Sequence, residues 1–397
     1  MSVIYLDNNA TTQLDPLVFE RMKPYFEDNY YNASSNTHSL GLKVKNVVEE
    51  SREVIAEILK RNPQEIIFTS GSTESINLAI KGFFSNIGKG EFVTTSVEHK
   101  AVIDTANSIS NIKTHFISPN KYGQVTPKKI ESFIGNNTKL VSIISTNNEI
   151  GTDNNLKEVL DVLPEEVIFH TDATQSFTHK KENIEAMGLF DERIDMISIS
   201  GHKFHGPKGI GLLIANKSTQ EKLIPIIHGG SHERGLRSGT LNVPGIVGIA
   251  EALKIQNNCE VSVENLRIEF EKLLIEKIPN EVKFSINGMR PTSPIFQQKH
   301  GELKNELLGH PGNINLTFDE IKAISIIAGA PEIAISTGSA CTSNTPSPSH
   351  VLQEIGLSLE QAQSSIRISL SRFTTKEEIK SATDLLANAI KNYLERI

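Results

Sequence analysis

Cysteine is scarce: Cys259 and Cys341 are the only two in 397 residues. Such a pair can form one disulfide, but it cannot build a disulfide framework or a cysteine-based zinc site. Long apolar runs are missing as well, and none approaches the roughly 18 residues that a membrane-spanning helix needs. The opening MSVIYLDNNATTQLDP has no basic start followed by an apolar stretch, so no signal peptide is expected. Positive charge is in deficit, with 40 Lys and Arg against 47 Asp and Glu and a net charge of −7. That balance argues against a general nucleic-acid binder, which carries a basic excess. These absences together predict a reduced, cytoplasmic setting with neither membrane nor nucleic-acid partners. What is present is ordinary for a globular protein: 38% hydrophobic and 22% charged residues. The length suffices for two domains.

From about residue 41 to 255 helical and strand patterns alternate. Val44, Val47, Val48, Val54, Ile55, Ile58 and Leu59 recur at helical spacing, which predicts an amphipathic helix over 41–61. Short apolar runs follow at 65–70, 91–97, 139–146, 166–172, 195–200 and 209–215, most of them without polar alternation, as in strands covered on both faces. Helical segments between them, such as 73–84 and 156–163, make this an α/β chain with a doubly wound, largely parallel sheet. Ligands in such sheets sit beyond the C-terminal strand ends. Past about 246 the pattern changes. The stretches 246–256 and 263–277 suggest a long or broken helix leaving the large domain. The remainder reads as a smaller α+β domain closed by a helix at 375–394, with Thr375 and Glu378 as its capping box. The large domain is expected at 13–255, and the smaller one at 256–397 together with 1–12. Two segments read as irregular: 288–312, with several Gly and Pro, and the Ser/Thr/Pro-rich 336–350.

Four polar groups fall at or near expected strand ends or loops. Ser70-Gly71-Ser72-Thr73 precedes a helical pattern, where backbone N–H groups and the helix dipole favour a phosphate. A plain N-cap is the competing interpretation. Asp172, in HTDATQ, ends an apolar strand, where its carboxylate can pair with a cationic ring nitrogen and Gln175 can donate to a phenolate oxygen, or the segment is simply a structural loop. Lys203, in SGHKFHGPKG, follows another strand between glycines, a setting that suits a Schiff base because partial burial lowers an amine's pKa. His202 with His205, or His170, Asp172 and His179, can also suggest a metal. The glycines and Pro207 make helical ligand spacing unfavourable, so no metal is expected. Cys341, in TGSACTS, lies in a Gly/Ser/Thr loop and not in a core-like context, which favours a reactive thiol. Cys259, in QNNCEVS, has no such setting and receives no role. A phosphate cradle, an aspartate, a lysine and a thiol together point to pyridoxal phosphate chemistry.

The chain resembles the cysteine desulfurases of the class-V aminotransferase group, within the aspartate-aminotransferase superfamily. The resemblance runs nearly end to end through YLDNNATT (5–12), NASSNTHSLG (32–41), SGSTESINLAI (70–80), VEHKAV (97–102), NNEIG (147–151), TDATQS (171–176), SGHKFHGPKGIG (200–211), GGSHERGLRSGTLNVPGIVG (229–248), TGSACTS (337–343) and SSIRISLSRFTT (364–375). The Ser-x-Cys-x-Ser signature is similar to that of the housekeeping and nitrogen-fixation branch. The segment 289–309 departs from the family by its length.

The resemblance implies the aspartate-aminotransferase-like fold, pyridoxal 5'-phosphate as cofactor and L-cysteine as substrate. Lys203 would bond the cofactor and Asp172 would meet the pyridine nitrogen. His99 would stack on the ring and act as acid or base, with Gln175 at the phenolate oxygen and Asn148 beside it. Ser72, Thr73, Ser200 and His202 would hold the phosphate. The family is dimeric, so Thr240 would reach the phosphate of the partner subunit in a homodimer. Arg367, with Asn148, would take the substrate carboxylate, a task suited to its planar fork. Cys341 would receive the sulfur as a persulfide and pass it to an acceptor, an iron–sulfur scaffold or a sulfur carrier. A selenocysteine lyase or another class-V enzyme would use the same cofactor residues, though an aminotransferase has no need of the thiol in TGSACTS. A non-catalytic scaffold would have no need of Lys203, Asp172, His99 and Cys341.

Overall fold

The computed structural model describes residues 3–301, 307–337 and 348–396. A short strand, β1 (Ile4–Tyr5), opens the chain, and seven further strands build the main sheet: β2 (Ile66–Thr69), β3 (Gly90–Thr95), β4 (Ile112–Ile117), β5 (Thr138–Ser142), β6 (Ile168–Asp172), β7 (Met196–Ser200) and β8 (Gly211–Ala215). Their order is β2-β8-β7-β6-β5-β3-β4. All pairings are parallel except those of β8, which runs antiparallel to both β2 and β7. β2, β6, β7 and β8 are buried at every position, which explains why their sequences read as apolar runs without alternation. β4 was not expected. Its sequence IKTHFI is half-exposed along most of its length at the sheet edge, so Lys113 and His115 interrupt the apolar signal.

Helices cover both faces. Val44, Val48, Ile55 and Leu59 on the helix Ser39–Leu59 enter one core with Ile246, Ile249 and Leu253 of the helix Val243–Asn257. Ile67, Leu140, Met196 and Leu213 face a second core with Ile76, Leu78, Phe83 and Phe84. The helix expected over 73–84 is interrupted: an α segment Ser72–Asn77 passes through a π turn at Leu78–Gly82 into Phe83–Ile87. At the end of that turn the Gly82 carbonyl accepts a hydrogen bond from Ile224 N–H at 3.0 Å.

The second half contains a three-stranded antiparallel sheet, β12-β10-β9, formed by β9 (Phe284–Ile286), β10 (Asn313–Phe318) and β12 (Ser365–Ser369). A further short strand, β11 (Ile333–Ala334), pairs in parallel with β1. Leu6 therefore packs into the core of this half, with Ile314, Leu316, Ile366 and Ile368. The expected long or broken helix is two helices, Val243–Asn257 and Val263–Lys277. Thr375 caps the last helix, Lys376–Leu394, with the full capping box. The expectation of an irregular 288–312 needs correction, because Pro294–His300 is helical. Ser293 accepts from Phe296 N–H at 3.2 Å and Pro294 occupies the first helical position, so the proline starts a helix there. Of the other irregular segment, 338–347 lies outside the described residues, Cys341 included.

Candidate active site

Asp172, Ser200, Lys203, His99 and Asn148 lie at the C-terminal ends of neighbouring parallel strands or just beyond them, whereas Arg367 lies on β12 of the smaller sheet. β6 ends on Asp172, which is 3% exposed. β7 ends on Ser200, and a short turn, Gly201–Lys203, carries the lysine away from it. The loop after β3 brings His99 to the start of the helix Lys100–Asn107, and the loop after β5 carries Asn148. Because parallel strands end side by side, residues distant in sequence meet here. His99 feels the charges of both Asp172 and Lys203.

His99 caps its helix, with Nδ1 accepting from Ala101 N–H at 3.1 Å. The neutral ring must then carry its proton on Nε2. Burial pushes the His99 pKa down, Asp172 opposes that and Lys203 adds to it. His202 is also neutral, lowered to about 4 by burial and by Lys203 and Lys208. Its Nδ1 lies 3.1 Å from Thr11 Oγ1.

The phosphate region is built by close backbone approach. Gly71 has φ +154°, and a Cβ added to Gly211 of β8 would lie 2.5 Å from Gly71 Cα. Ser72 then begins the helical run, half-buried, with Thr73 exposed beside it. Ser200 Oγ is the atom nearest to the place where a Gly71 Cβ would stand, at 3.7 Å, so the two strand ends share one concavity. N–H groups at the start of a helix suit an anion there.

The organising segment is one to which the sequence assigned no chemistry. The Asn9 carbonyl accepts from Lys203 Nζ at 2.7 Å and from Gln175 Nε2 at 3.0 Å, and the Ala10 carbonyl takes a further Lys203 hydrogen bond at 2.8 Å. Asn9 Nδ2 donates to the Asn148 carbonyl at 3.1 Å, and Asn9 N–H donates to Ser369 Oγ at 2.8 Å. The Asn148 carbonyl also accepts from Arg367 Nη1 at 3.2 Å. Asn9 and Ala10 of the N-terminal motif thereby gather Lys203, Gln175 and Asn148, and Asn148 in turn holds Arg367. YLDNNATT was the available signal, but backbone carbonyls leave no mark in a sequence.

Two buried acids were also missed. Glu98 is pushed up to about 8 by burial, and Glu149 to about 7 by the same cause. Glu98 Oε1 accepts from Thr95 Oγ1 and Ile144 N–H, while Oε2 has no partner among the described residues. Glu149 accepts from the Ser349 hydroxyl, and its backbone carbonyl accepts from Asn313 and Asn315. It therefore ties the Asn148 loop to β10 and to the chain just after residue 348. Thr240 is not brought to the other site residues. It is exposed on the loop before the helix Val243–Asn257. The other histidines weighed as metal ligands have protein partners: His170 lies between Ser142 and Ser198, His179 meets Asp153, and His205 meets the Gln13 carbonyl. Among the described residues no group of three or more His, Cys, Asp or Glu is arranged to hold a metal.

The residues fit pyridoxal phosphate. Asp172 is a buried carboxylate whose Oδ1 takes Thr174 N–H at 3.0 Å. Burying such a charge is unfavourable unless a cation meets it, and a protonated ring nitrogen is one. Lys203 supplies a primary amine whose charge, like that of Asp172, reaches His99, and the Gly71–Ser72 turn offers backbone N–H groups to an anion.

Residues 4–381 match the family described as Aminotransferase class-V. A cysteine desulfurase IscS of Anaeromyxobacter dehalogenans (strain 2CP-C) is 38% identical over 402 residues, covering 99% of this chain and 93% of its own. A solved structure named NifS-like protein superposes with TM-score 0.83 at 31% identity and covers both chains completely. The structure named SspA in complex with cysteine superposes with TM-score 0.75 at 36% identity, over 94% of this chain and 99% of that one. With the matching strand-end geometry, this places the chain in the class-V aminotransferase family, among its cysteine desulfurases.

Proposed function

We propose that this protein takes sulfur from free L-cysteine, releasing L-alanine and leaving a persulfide on Cys341. The observation that carries the reading is the meeting of Lys203, His99 and Asp172 at adjoining strand ends, with the buried guanidinium of Arg367 joined to them through Asn148 and Asn9. The cysteine bound in the SspA structure supports the same substrate. Pyridoxal phosphate, when bound, supplies an electron sink for negative charge at the substrate α-carbon.

The chain's own residues do the rest. Asp172 would keep a proton on the ring nitrogen, and the Gln175 amide would donate to the phenolate oxygen. Ser72, Thr73, Ser200 and neutral His202 would hold the phosphate through N–H and O–H donors. Arg367 and Asn148 would orient the substrate carboxylate. Lys203 Nζ, a primary amine, takes the α-proton and later returns it. His99 holds a proton on Nε2 that can meet the substrate sulfur. The Cys341 thiolate attacks that sulfur: the new S–S bond forms as the substrate C–S bond breaks, and the carbon side gains the proton that makes alanine.

Cys341 would then hand the sulfur to an acceptor protein, an iron–sulfur scaffold or a sulfur carrier, in the cytoplasm. A homodimer with Thr240 crossing to the partner's phosphate completes the reading. Exposed Leu17, Phe19, Phe26, Tyr30, Leu40 and Leu42, all within one stretch of chain, support such an interface. The test is Cys341→Ala given labelled L-cysteine. We expect cofactor binding at wild-type affinity, alanine at background and no protein-bound labelled sulfur by intact-mass analysis. Full alanine production or labelled sulfur on the variant would remove Cys341 from the reaction.

A further inference from the structure

Arg367 is 2% exposed and its hydrogen bonds are unevenly distributed. Nη2 donates to Asp7 Oδ1 at 2.8 Å and Nη1 to the Asn148 carbonyl at 3.2 Å, while Nε is buried with no partner among the described residues. Nε and Nη2 share one edge of the guanidinium, the fork that grips a carboxylate with two parallel hydrogen bonds. Asp7 therefore holds half of that edge and leaves the other half, at Nε, without a hydrogen-bond partner among the described residues. Its position is fixed by backbone. Ser369 N–H donates to the Leu6 carbonyl at 2.7 Å, Asn8 N–H donates to the Ser369 carbonyl at 3.3 Å, and Tyr5 Oη donates to the Asp7 carbonyl at 3.1 Å. The Asp7 side chain is 18% exposed, against 2% for Arg367, so Asp7 stands on the wetter side of the pair.

We propose that Asp7 is a positioning and specificity residue for the substrate carboxylate. It pins Arg367 through Nη2 so that Nε faces the incoming group, and it neutralises the guanidinium before anything binds. This rests on the reading of Arg367 as the carboxylate site. Two consequences follow from charge alone. A carboxylate entering the site meets one positive and one negative group, so ions with no other handle bind weakly. The product alanine, which keeps the carboxylate and loses the sulfur, is held by the same weakened site and leaves readily.

Asp7→Asn in the cofactor-loaded protein tests this, with Asp7→Ser as a smaller uncharged replacement should Asn not fold. The chain has no tryptophan, so calorimetry is the direct readout. We expect L-alanine and propionate to bind about fivefold tighter, the effect of one unit charge several ångströms away in a hydrated site. The KM for L-cysteine should fall and kcat should fall with it, and Asp7→Glu should restore both. A merely structural Asp7 would give weaker or unchanged carboxylate binding with a lower Tm, which would overturn the proposal. Arg367→Ala separates the two ideas. If it leaves propionate and alanine binding intact, the carboxylate-site reading itself is wrong. If it abolishes binding while Asp7→Asn does not tighten it, only the role of Asp7 falls.

Discussion

Glu98 sits beside His99 with one carboxyl oxygen doubly bonded to donors and the other facing no polar atom among the described residues. Its ordinary value of 4.5 is raised to about 8, first by burial and then by the Asp172 charge. Between those two values the folded chain holds a proton that the unfolded chain has released. Stability from this group is thus present at low pH and lost as pH rises through about 8. Glu98→Gln keeps the acceptor oxygen and removes the titration. Its Tm should match the wild type near pH 4.5 and exceed it near pH 8.5, by somewhat less per kcal/mol than the roughly 2–4 °C typical of chains of about 150–250 residues. Parallel Tm profiles for the two proteins would show that Glu98 does not titrate there. The sequence hides this acid well, since VEHK looks like any charged surface turn, and burial is a property of what packs around it.

At the scale of elements, the decisive contact is between β8 and the start of the helical run at Ser72. Gly211 offers no room: an added Cβ would stand 2.5 Å from Gly71 Cα and 2.6 Å from the Ile199 carbonyl oxygen. Gly211→Ala must push the two strand ends apart, at a cost of about 1–3 kcal/mol for an overpacked site. Cofactor affinity should fall with stability, because Ser72 and Ser200 move relative to one another. Equilibrium dialysis against pyridoxal phosphate alongside thermal unfolding checks this, and unchanged affinity would detach the glycine pair from the phosphate region. The central strands were legible in the sequence because both faces are covered and most of their residues are apolar or small. β4 and the helix Pro294–His300 were not. An edge strand and a short capped helix give too few apolar positions for periodicity to stand out. The candidate site was legible in its side chains and illegible in its backbone carbonyls, as at Asn9 and Ala10.

For the whole molecule, the open question of geometry is how Thr240, exposed on one chain, joins the rest. If it crosses to a partner, Thr240→Ala and Lys203→Ala fail in different places. Each alone should be nearly inactive. A hybrid of the two contains one complete site, with Lys203 from one chain and Thr240 from the other. Random pairing makes half of the dimers hybrids, so co-expression should recover roughly a quarter of wild-type activity. Recovery no greater than the sum of the separate variants would place Thr240 in its own chain's site or in none.

The N-terminal segment has one more consequence, and it concerns time. Asp7 and Asn9 leave the ribosome some 360 residues ahead of their partners Arg367 and Ser369. At a synthesis rate of roughly 5–20 residues per second, the early segment waits for tens of seconds with its docking edge unmade. The main sheet can assemble meanwhile, but Lys203 and Gln175 do not receive the Asn9 carbonyl until β12 is in place to seat it. Capture of the cofactor is thus expected only after β12 has been made, since β12 seats the segment that Lys203 and Gln175 bond.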